Sequence, residues 1–359
     1  MSLQTIHVVR HGFRSPWTVD PATGNYSASF RSPTGLPTDP ALTSHGVEQA
    51  NELADHLHTT EPPIDQVYSS PYYRCLQTIQ PFVSQCNSAP AGAGATFRTR
   101  VEKGLSEWYG LAHFDHPTSA PLGELQKHFS HIDANYASIL TPPRKGETIT
   151  QLHDRVAACV QAIVTHSDQE GKKSVLICSH AAVVIAIGRV LTGEVPTDAT
   201  TDDFGAFTCG LSIYRRQGVG QNKATTPSRD RMAPFRGNMH DKAAQNLMHD
   251  GRTRSDEQTN TLHPVDRHPL ESWVPGPSNS WKCGVEAYGG WTCEANSDCS
   301  FLRCGEERGW RFSGDESFIG FDQGSLLSSD RSPGYGALDS GIAPTNDSSS
   351  TTIKGPSKL

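Results

Sequence analysis

The chain has 359 residues, a hydrophobic fraction of 35% and a formal net charge of −7. That length holds one large domain or two, and the low apolar content, with a mean hydropathy of −0.50, indicates a globular part diluted by polar sequence. The charge excludes a global basic field for nucleic acid. The first residues lack the basic start and apolar block of a signal peptide, and the longest apolar stretch, Val175 to Leu191, is broken by Ser179, His180 and Arg189 and does not read as a membrane span.

In chain order, Ile6-His7-Val8-Val9 reads as a short buried strand that Gly12 ends. Thr43 to His58 predicts a helix with Val47, Ala50, Leu53, Ala54 and Leu57 on one face. A strand around Val67 and Tyr68 follows, then a helix over Tyr72 to Gln85 in which Ser70 serves as N-cap and Pro71 occupies the first turn. Gly123 to Phe129 and Thr148 to His166 predict helices, the second with Leu152, Val156, Val160 and Ile163 at helical spacing. Ser174 to Cys178 is a strand buried on both faces, Ala182 to Leu191 a helix stopped by Gly193, and Phe207 to Tyr214 a further strand. Strands alternating with helices predict a three-layer α/β/α fold around a mostly parallel central sheet.

Composition divides the rest. Residues 1–216 hold the core. Residues 217–285 are polar and read as an insertion or linker that is disordered. Residues 286–318 are rich in Trp and Cys and suggest short strands completing the core. Residues 319–359 read as a disordered tail. Of nine cysteines, Cys75, Cys86, Cys159, Cys178 and Cys209 are scattered, which suits reduced thiols in an intracellular protein of the cytoplasm or nucleus. Cys283, Cys293, Cys299 and Cys304 cluster without a CxxC pair, which argues against zinc.

The chemistry gathers at strand ends. His11 follows the first strand, flanked by Arg10, and His180 follows the strand Ser174 to Cys178. Arg74 stands in the first turn of the helix after Ser69-Ser70-Pro71. In α/β sheets ligands bind at this carboxyl edge. Two His and two Arg there form a cationic pocket for a tetrahedral dianion. A neutral imidazole can attack phosphorus, and guanidinium can hold phosphate oxygens bidentately. A bond from the second ring nitrogen of His11 to a backbone carbonyl would fix its tautomer.

These segments, in this order over roughly residues 3–214, resemble the histidine phosphatase (phosphoglycerate-mutase-like) superfamily. The resemblance rests on Arg10-His11-Gly12, on Leu42-Thr43 with Gly46, Gln49 and Ala50, on Ser69 to Thr78, on Gly104-Leu105-Ser106-Glu107-Trp108, and on Ser179-His180. It implies His11 as the nucleophile of a phosphohistidine mechanism. Arg10, Arg74 and His180 would bind the phosphoryl oxygens, Glu107 would serve as general acid and base, and no metal or other cofactor is required. Arg14, in Arg-His-Gly-x-Arg, and Val101 to Trp108 resemble the protein-tyrosine-phosphatase-like branch, where that Arg adds a phosphate contact. Glu102 is a second, weaker candidate for the acid. His113, His116, His128 and His131 invite a metal reading, but exposed side chains are expected; His7 and His45 are expected to be structural or exposed.

The resemblance implies a phosphomonoester hydrolase acting on a phosphorylated small molecule or a phosphoprotein, with no direct nucleic-acid or membrane partner. The short connection from Cys86 to Glu107 argues against mutase activity. The segment Trp17 to Pro40 could cap the pocket, although its Pro, Gly and Ser also suit disorder. Gly290 to Leu302 is similar to the family's last strand, which would leave the clustered cysteines as free thiols on strands. The long insertion and Trp-rich end also fit fungal relatives, including a phosphatase-like subunit of the RNA polymerase III transcription factor C (tau). The alternative function is therefore an interaction subunit of a transcription-factor complex.

Overall fold

The computed structural model describes residues 2–88, 97–217 and 290–313. The expectations for the polar segment beyond Gln217, for Cys283 and for the tail 319–359 lie outside these residues.

A six-stranded sheet runs in the order β5 (Thr99–Val101), β4 (Gln66–Ser69), β6 (Ser174–Ser179), β1 (Thr5–Arg10), β7 (Leu211–Arg216), β8 (Trp291–Asp298). The first four strands pair in parallel; β7 is antiparallel to β1, and β8 to β7. Every residue of β6 is buried, as a strand covered on both faces requires. Its side chains alternate between two layers. Val175 and Ile177 meet Val156, Val160 and Ile163 of α4 (Ile149–Gln169) and Val183, Ile187 and Val190 of α5 (Ala181–Thr192). Leu176 and Cys178 meet Leu53 and Leu57 of α1 (Ser44–Leu57) and Cys75, Ile79 and Val83 of α2 (Tyr73–Ser88). The expected three-layer α/β/α fold with a mostly parallel sheet is therefore what the chain forms.

Helix ends follow local chemistry. Thr43 Oγ1 accepts from Gly46 N at 3.1 Å to cap α1. Thr148 and Gln151 form a capping box at the start of α4. Gly193, with φ 75°, ends α5 in the left-handed conformation that suits glycine. A short helix α3 (Leu122–Gln126) lies between β5 and α4.

Several expectations change. Strand β7 begins at Leu211 rather than Phe207, because Phe207 to Gly210 close a turn with Cys209 at φ 55°. The segment Trp17 to Pro40 holds a hairpin of β2 (Trp17–Val19) and β3 (Tyr26–Ala28), closed by Asp20 N to Asn25 O at 2.9 Å. Buried Trp17 anchors it beside Tyr109, with ring centroids 6.1 Å apart. Of the clustered cysteines described, Cys293 lies on β8, whereas Cys299 and Cys304 lie in the turns after it; all three are free thiols. His116 and His131 are buried, not exposed. Among the described residues no helix is long and apolar enough to cross a membrane.

Candidate active site

The carboxyl ends of β1, β4 and β6 lie side by side, and the chain continues from β1 and from β4 with a bond to β6. His11 N donates to Ser179 O (3.0 Å), and Ser70 N to Cys178 O (2.9 Å). His11 and His180 are thereby brought together, with ring centroids 5.4 Å apart. Gly12 N donates to Thr78 Oγ1 at 3.0 Å, and that hydroxyl donates to Arg74 O at 2.7 Å, so Thr78 ties the first motif to α2. Gln77 and Gln49 act likewise: their Oε1 atoms accept from Leu42 N (2.8 Å) and Phe13 N (2.9 Å). Gly46 is required because a Cβ there would lie 2.1 Å from the Phe13 carbonyl oxygen.

His11 Nδ1 lies 2.9 Å from Gly12 O. A carbonyl only accepts, so Nδ1 carries the proton and Nε2 keeps its lone pair. Burial, reinforced by Arg74, Arg10, His180 and Arg14, holds the His11 pKa well below its ordinary value. The imidazole is neutral at neutral pH.

Arg74 is fully buried on α2. Its NH1 reaches Thr38 O (2.9 Å) and Asp39 Oδ1 (3.1 Å), its NH2 reaches Glu107 Oε2 (3.0 Å), and its guanidinium lies 4.7 Å from the Tyr72 ring centroid. Nε has no hydrogen-bond partner among the described residues. His180 Nε2 contacts Ser70 Oγ at 2.8 Å, and Nδ1 lies 3.0 Å from Arg74 NH2 and 3.2 Å from Glu107 Oε2. A proton on Nδ1 resolves this crowding, since Nδ1–H and Arg74 can then both donate to Glu107. Burial works against the charge, but the Cys75 sulfur and Glu107 outweigh it and hold the His180 pKa above its ordinary value. Burial alone would raise the Glu107 pKa, yet His180, Arg74 and Arg14 hold it far below the usual carboxylate range.

Arg10 is buried and donates through NH1 to the carbonyls of Ala206 (2.8 Å) and Arg308. Arg14 is also buried; its NH1 donates to Ser15 O at 3.0 Å, and its guanidinium lies 5.9 Å from the Trp17 centroid. Donor atoms of His11, Glu107 and His180 lie within 4.8 Å of one another. The Arg74 guanidinium contacts two of them, so the charge balance of this trio suits an anion rather than a metal cation.

Glu102, the second candidate acid, is elsewhere engaged. Its two oxygens accept from Gly104 N, Tyr136 OH, Ser138 Oγ, Ile139 N and Leu140 N. It is a buried structural carboxylate that shapes the turn before Glu107. Ser70 does not cap α2, which starts at Tyr73; its hydroxyl goes to His180, and Pro71 precedes the helix. The cap comes from Asp39, which accepts from Tyr73 N (2.6 Å) and Arg74 N (3.4 Å).

A family model for the histidine phosphatase superfamily (branch 1) matches residues 6–225. The chain belongs to this superfamily. A relative named transcription factor tau 55 kDa subunit, from Saccharomyces cerevisiae, is 31% identical over 222 residues, 60% of this chain and 48% of the relative. An ecdysteroid-phosphate phosphatase from Drosophila melanogaster is 30% identical over 216 residues, 53% of this chain and 27% of the relative. The chain thus spans half or less of the length of these curated relatives. The solved structure of a Bombyx mori ecdysone phosphate phosphatase with tungstate aligns at 23% identity and TM-score 0.45, covering 59% of this chain and 89% of that one.

Two supports of this histidine phosphatase site were not read from the sequence. One is Asp39. The other is the buried pair Glu147–Arg155: Arg155 Nε bonds both Glu147 oxygens (2.8 and 2.9 Å), while NH1 holds Gly104 O (2.7 Å) and Ser106 O (3.2 Å), fixing the turn that carries Glu107. Arg155 stands three residues after Leu152 on the buried face of α4, and a charge at such a position is a signal that the periodicity contained.

Beside Glu107 opens a cavity of about 380 Å³, walled by Tyr72, Tyr109, Tyr136, Val101, Leu122 and Leu125, with Lys103 and Arg144 also lining it.

Proposed function

We propose that the chain is a metal-independent phosphomonoester hydrolase acting through a phosphohistidine on His11. The observation that carries this reading is the neutral, Nδ1-protonated His11 buried among Arg10, Arg14 and Arg74, beside a His180 whose pKa is held above its ordinary value. Phosphoryl transfer asks mainly for positioning and charge neutralisation. The donors around His11, including the unpartnered Arg74 Nε, supply both for the three equatorial oxygens.

Nε2 attacks phosphorus as the ester P–O bond breaks, and Glu107 gives its proton to the departing alkoxide. Glu107 then takes a proton from water, which attacks phosphorus; the P–N bond breaks and phosphate leaves. In the ligand-free arrangement Glu107 is ionised against Arg74 and His180. A bound phosphate dianion competes for both cations and sets a like charge beside the carboxylate, so substrate raises the Glu107 pKa toward that of a working acid. The largely apolar cavity beside Glu107 fits an aromatic or other apolar leaving group, and its size lies within the range of about 300–1,000 Å³ common for ligand pockets.

Hydrolysis of p-nitrophenyl phosphate in EDTA tests this. Turnover is expected from the wild type and absent in His11→Ala; wild-type turnover that requires added metal, or that survives in His11→Ala, refutes the mechanism.

A second reading is favoured by the similarity to the tau 55 kDa subunit: a protein partner in a transcription complex, and with it an intracellular, nuclear setting. Stable co-purification with such a complex, together with no turnover by folded wild type, would favour this reading over hydrolysis.

A further inference from the structure

The chain after β8 folds back over the start of α1. Its turns are closed by Leu302 N to Cys299 O (3.0 Å) and Gly305 N to Leu302 O (3.1 Å). They bring Cys304 and Glu307 to His45, in the first turn of α1. His45 Nε2 meets Glu307 Oε2 at 2.5 Å, and the donor atoms of His45, Cys304 and Glu307 all lie within 4.8 Å of one another. Gln49, one turn further along α1, donates to the same Glu307 oxygen at 2.8 Å and is itself held by Phe13 N. Metal sites orient their ligands by such outer hydrogen bonds.

We propose that His45, Cys304 and Glu307 form a zinc site that pins the chain after β8 to α1. Thiolate, imidazole and carboxylate together suit Zn²⁺ and do not suit Mg²⁺ or Ca²⁺. Binding releases the Cys304 thiol proton and any proton shared between His45 and Glu307 to solvent, and water completes a tetrahedron. Bonds of about 2.0–2.3 Å place tetrahedral ligands roughly 3.3–3.7 Å apart, so Glu307 must draw back from His45 by about 1 Å. The loop can give this, since the His45 and Glu307 side chains are 34% and 28% exposed.

The surroundings separate this trio from the one at the candidate active site. His11, Glu107 and His180 share their space with guanidinium groups. Beside the second trio the Phe13 ring packs against His45 with centroids 5.4 Å apart and carries the Arg308 guanidinium on it, while Arg303 is paired with Glu52, so no guanidinium contacts the three ligand atoms among the described contacts. Cys304 is exposed, which gives an ion a path. No pair of cysteines marks the trio in the sequence, because it joins Cys304 and Glu307 to a histidine from a distant segment.

The site has a mechanical consequence that is independent of the hydrolytic reading. Glu307 O accepts from Thr208 N at 3.1 Å, and Arg308 O accepts from Arg10. Pinning residues 304–307 fixes the acceptor that orients Arg10.

The test is a titration of metal-stripped full-length chain with Co²⁺, followed by displacement with Zn²⁺. One equivalent of Co²⁺ is expected to give a thiolate-to-metal charge-transfer band that Zn²⁺ abolishes. Cys304→Ser, an exposed and conservative change, should lose the band, and His45→Gln and Glu307→Gln should weaken binding at least tenfold. His11→Ala should leave it intact. Zinc should also raise the Tm of the wild type and not that of Cys304→Ser. No band, a band that persists in Cys304→Ser, or a band lost in His11→Ala overturns the proposal.

Discussion

Glu107 stands among cations: Arg74 and His180 touch it, and Arg14 adds to the field. Its value to the proposed reaction depends on the alcohol it protonates. Glu107→Gln is therefore expected to slow hydrolysis of an alkyl phosphate by about 10²- to 10⁴-fold, and that of p-nitrophenyl phosphate much less, because nitrophenolate leaves without a proton. Equal losses on both substrates, measured as kcat/KM, would remove Glu107 from the acid role. At this scale the sequence was most legible where a residue and its reason share a few positions. His11 and the Gly12 carbonyl that fixes its tautomer are adjacent. The fate of Glu102 was not legible, because its five donors include Tyr136, Ser138, Ile139 and Leu140, from a segment with no pattern of its own.

Helix α2 carries Arg74 into the cluster, and its N-terminus is held from outside by Asp39. Burial holds the Asp39 pKa above its ordinary value, against the pull of Arg74 and the Tyr73 N–H. Asp39→Ala would strand a buried guanidinium and free two helix donors. A loss of about 3–5 kcal/mol is expected, the cost of breaking a buried pair, with Asp39→Asn losing less; urea unfolding of both variants checks this, and a loss under about 1 kcal/mol for Asp39→Ala would show that Arg74 finds other partners. Helices and central strands were readable because their period is local: Leu53, Ala54 and Leu57 on α1, and the unbroken apolar run of β6. Asp39 was not, since it lies in Pro- and Gly-rich sequence and acts across 34 and 35 positions. The hairpin β2–β3 was hidden for a similar reason: its strands are three residues each, and what orders it is Trp17 against Tyr109.

Across the molecule, burial of histidines couples stability to pH. His7, His116 and His131 are held neutral, with pKa values lowered to about 4 chiefly by burial, and burial with the surrounding cations holds His11 well below its ordinary value. As pH falls through 6.5 the unfolded chain takes up these protons and the folded chain does not, so stability is lost between pH 6.5 and 4, by up to about 1.4 kcal/mol per pH unit for each group. His180 acts in the opposite sense: its raised pKa contributes stability below 6.5 that is lost as pH rises through its folded value. Four groups outweigh one, so the urea midpoint should fall from pH 7 to pH 5; a flat or rising midpoint would contradict the neutral histidines. The last strand has a different kind of consequence. Gln217 N donates to Gly290 O at 2.8 Å, so the chain leaves the sheet and returns to it at bonded neighbours, one just after β7 and one just before β8. The fold therefore sets no length on what lies between them. In engineering terms the junction after Gln217 is a permissive port. A foreign domain whose own ends meet, inserted directly after Gln217, is expected to leave the Arg10 contacts and p-nitrophenyl phosphate turnover unchanged.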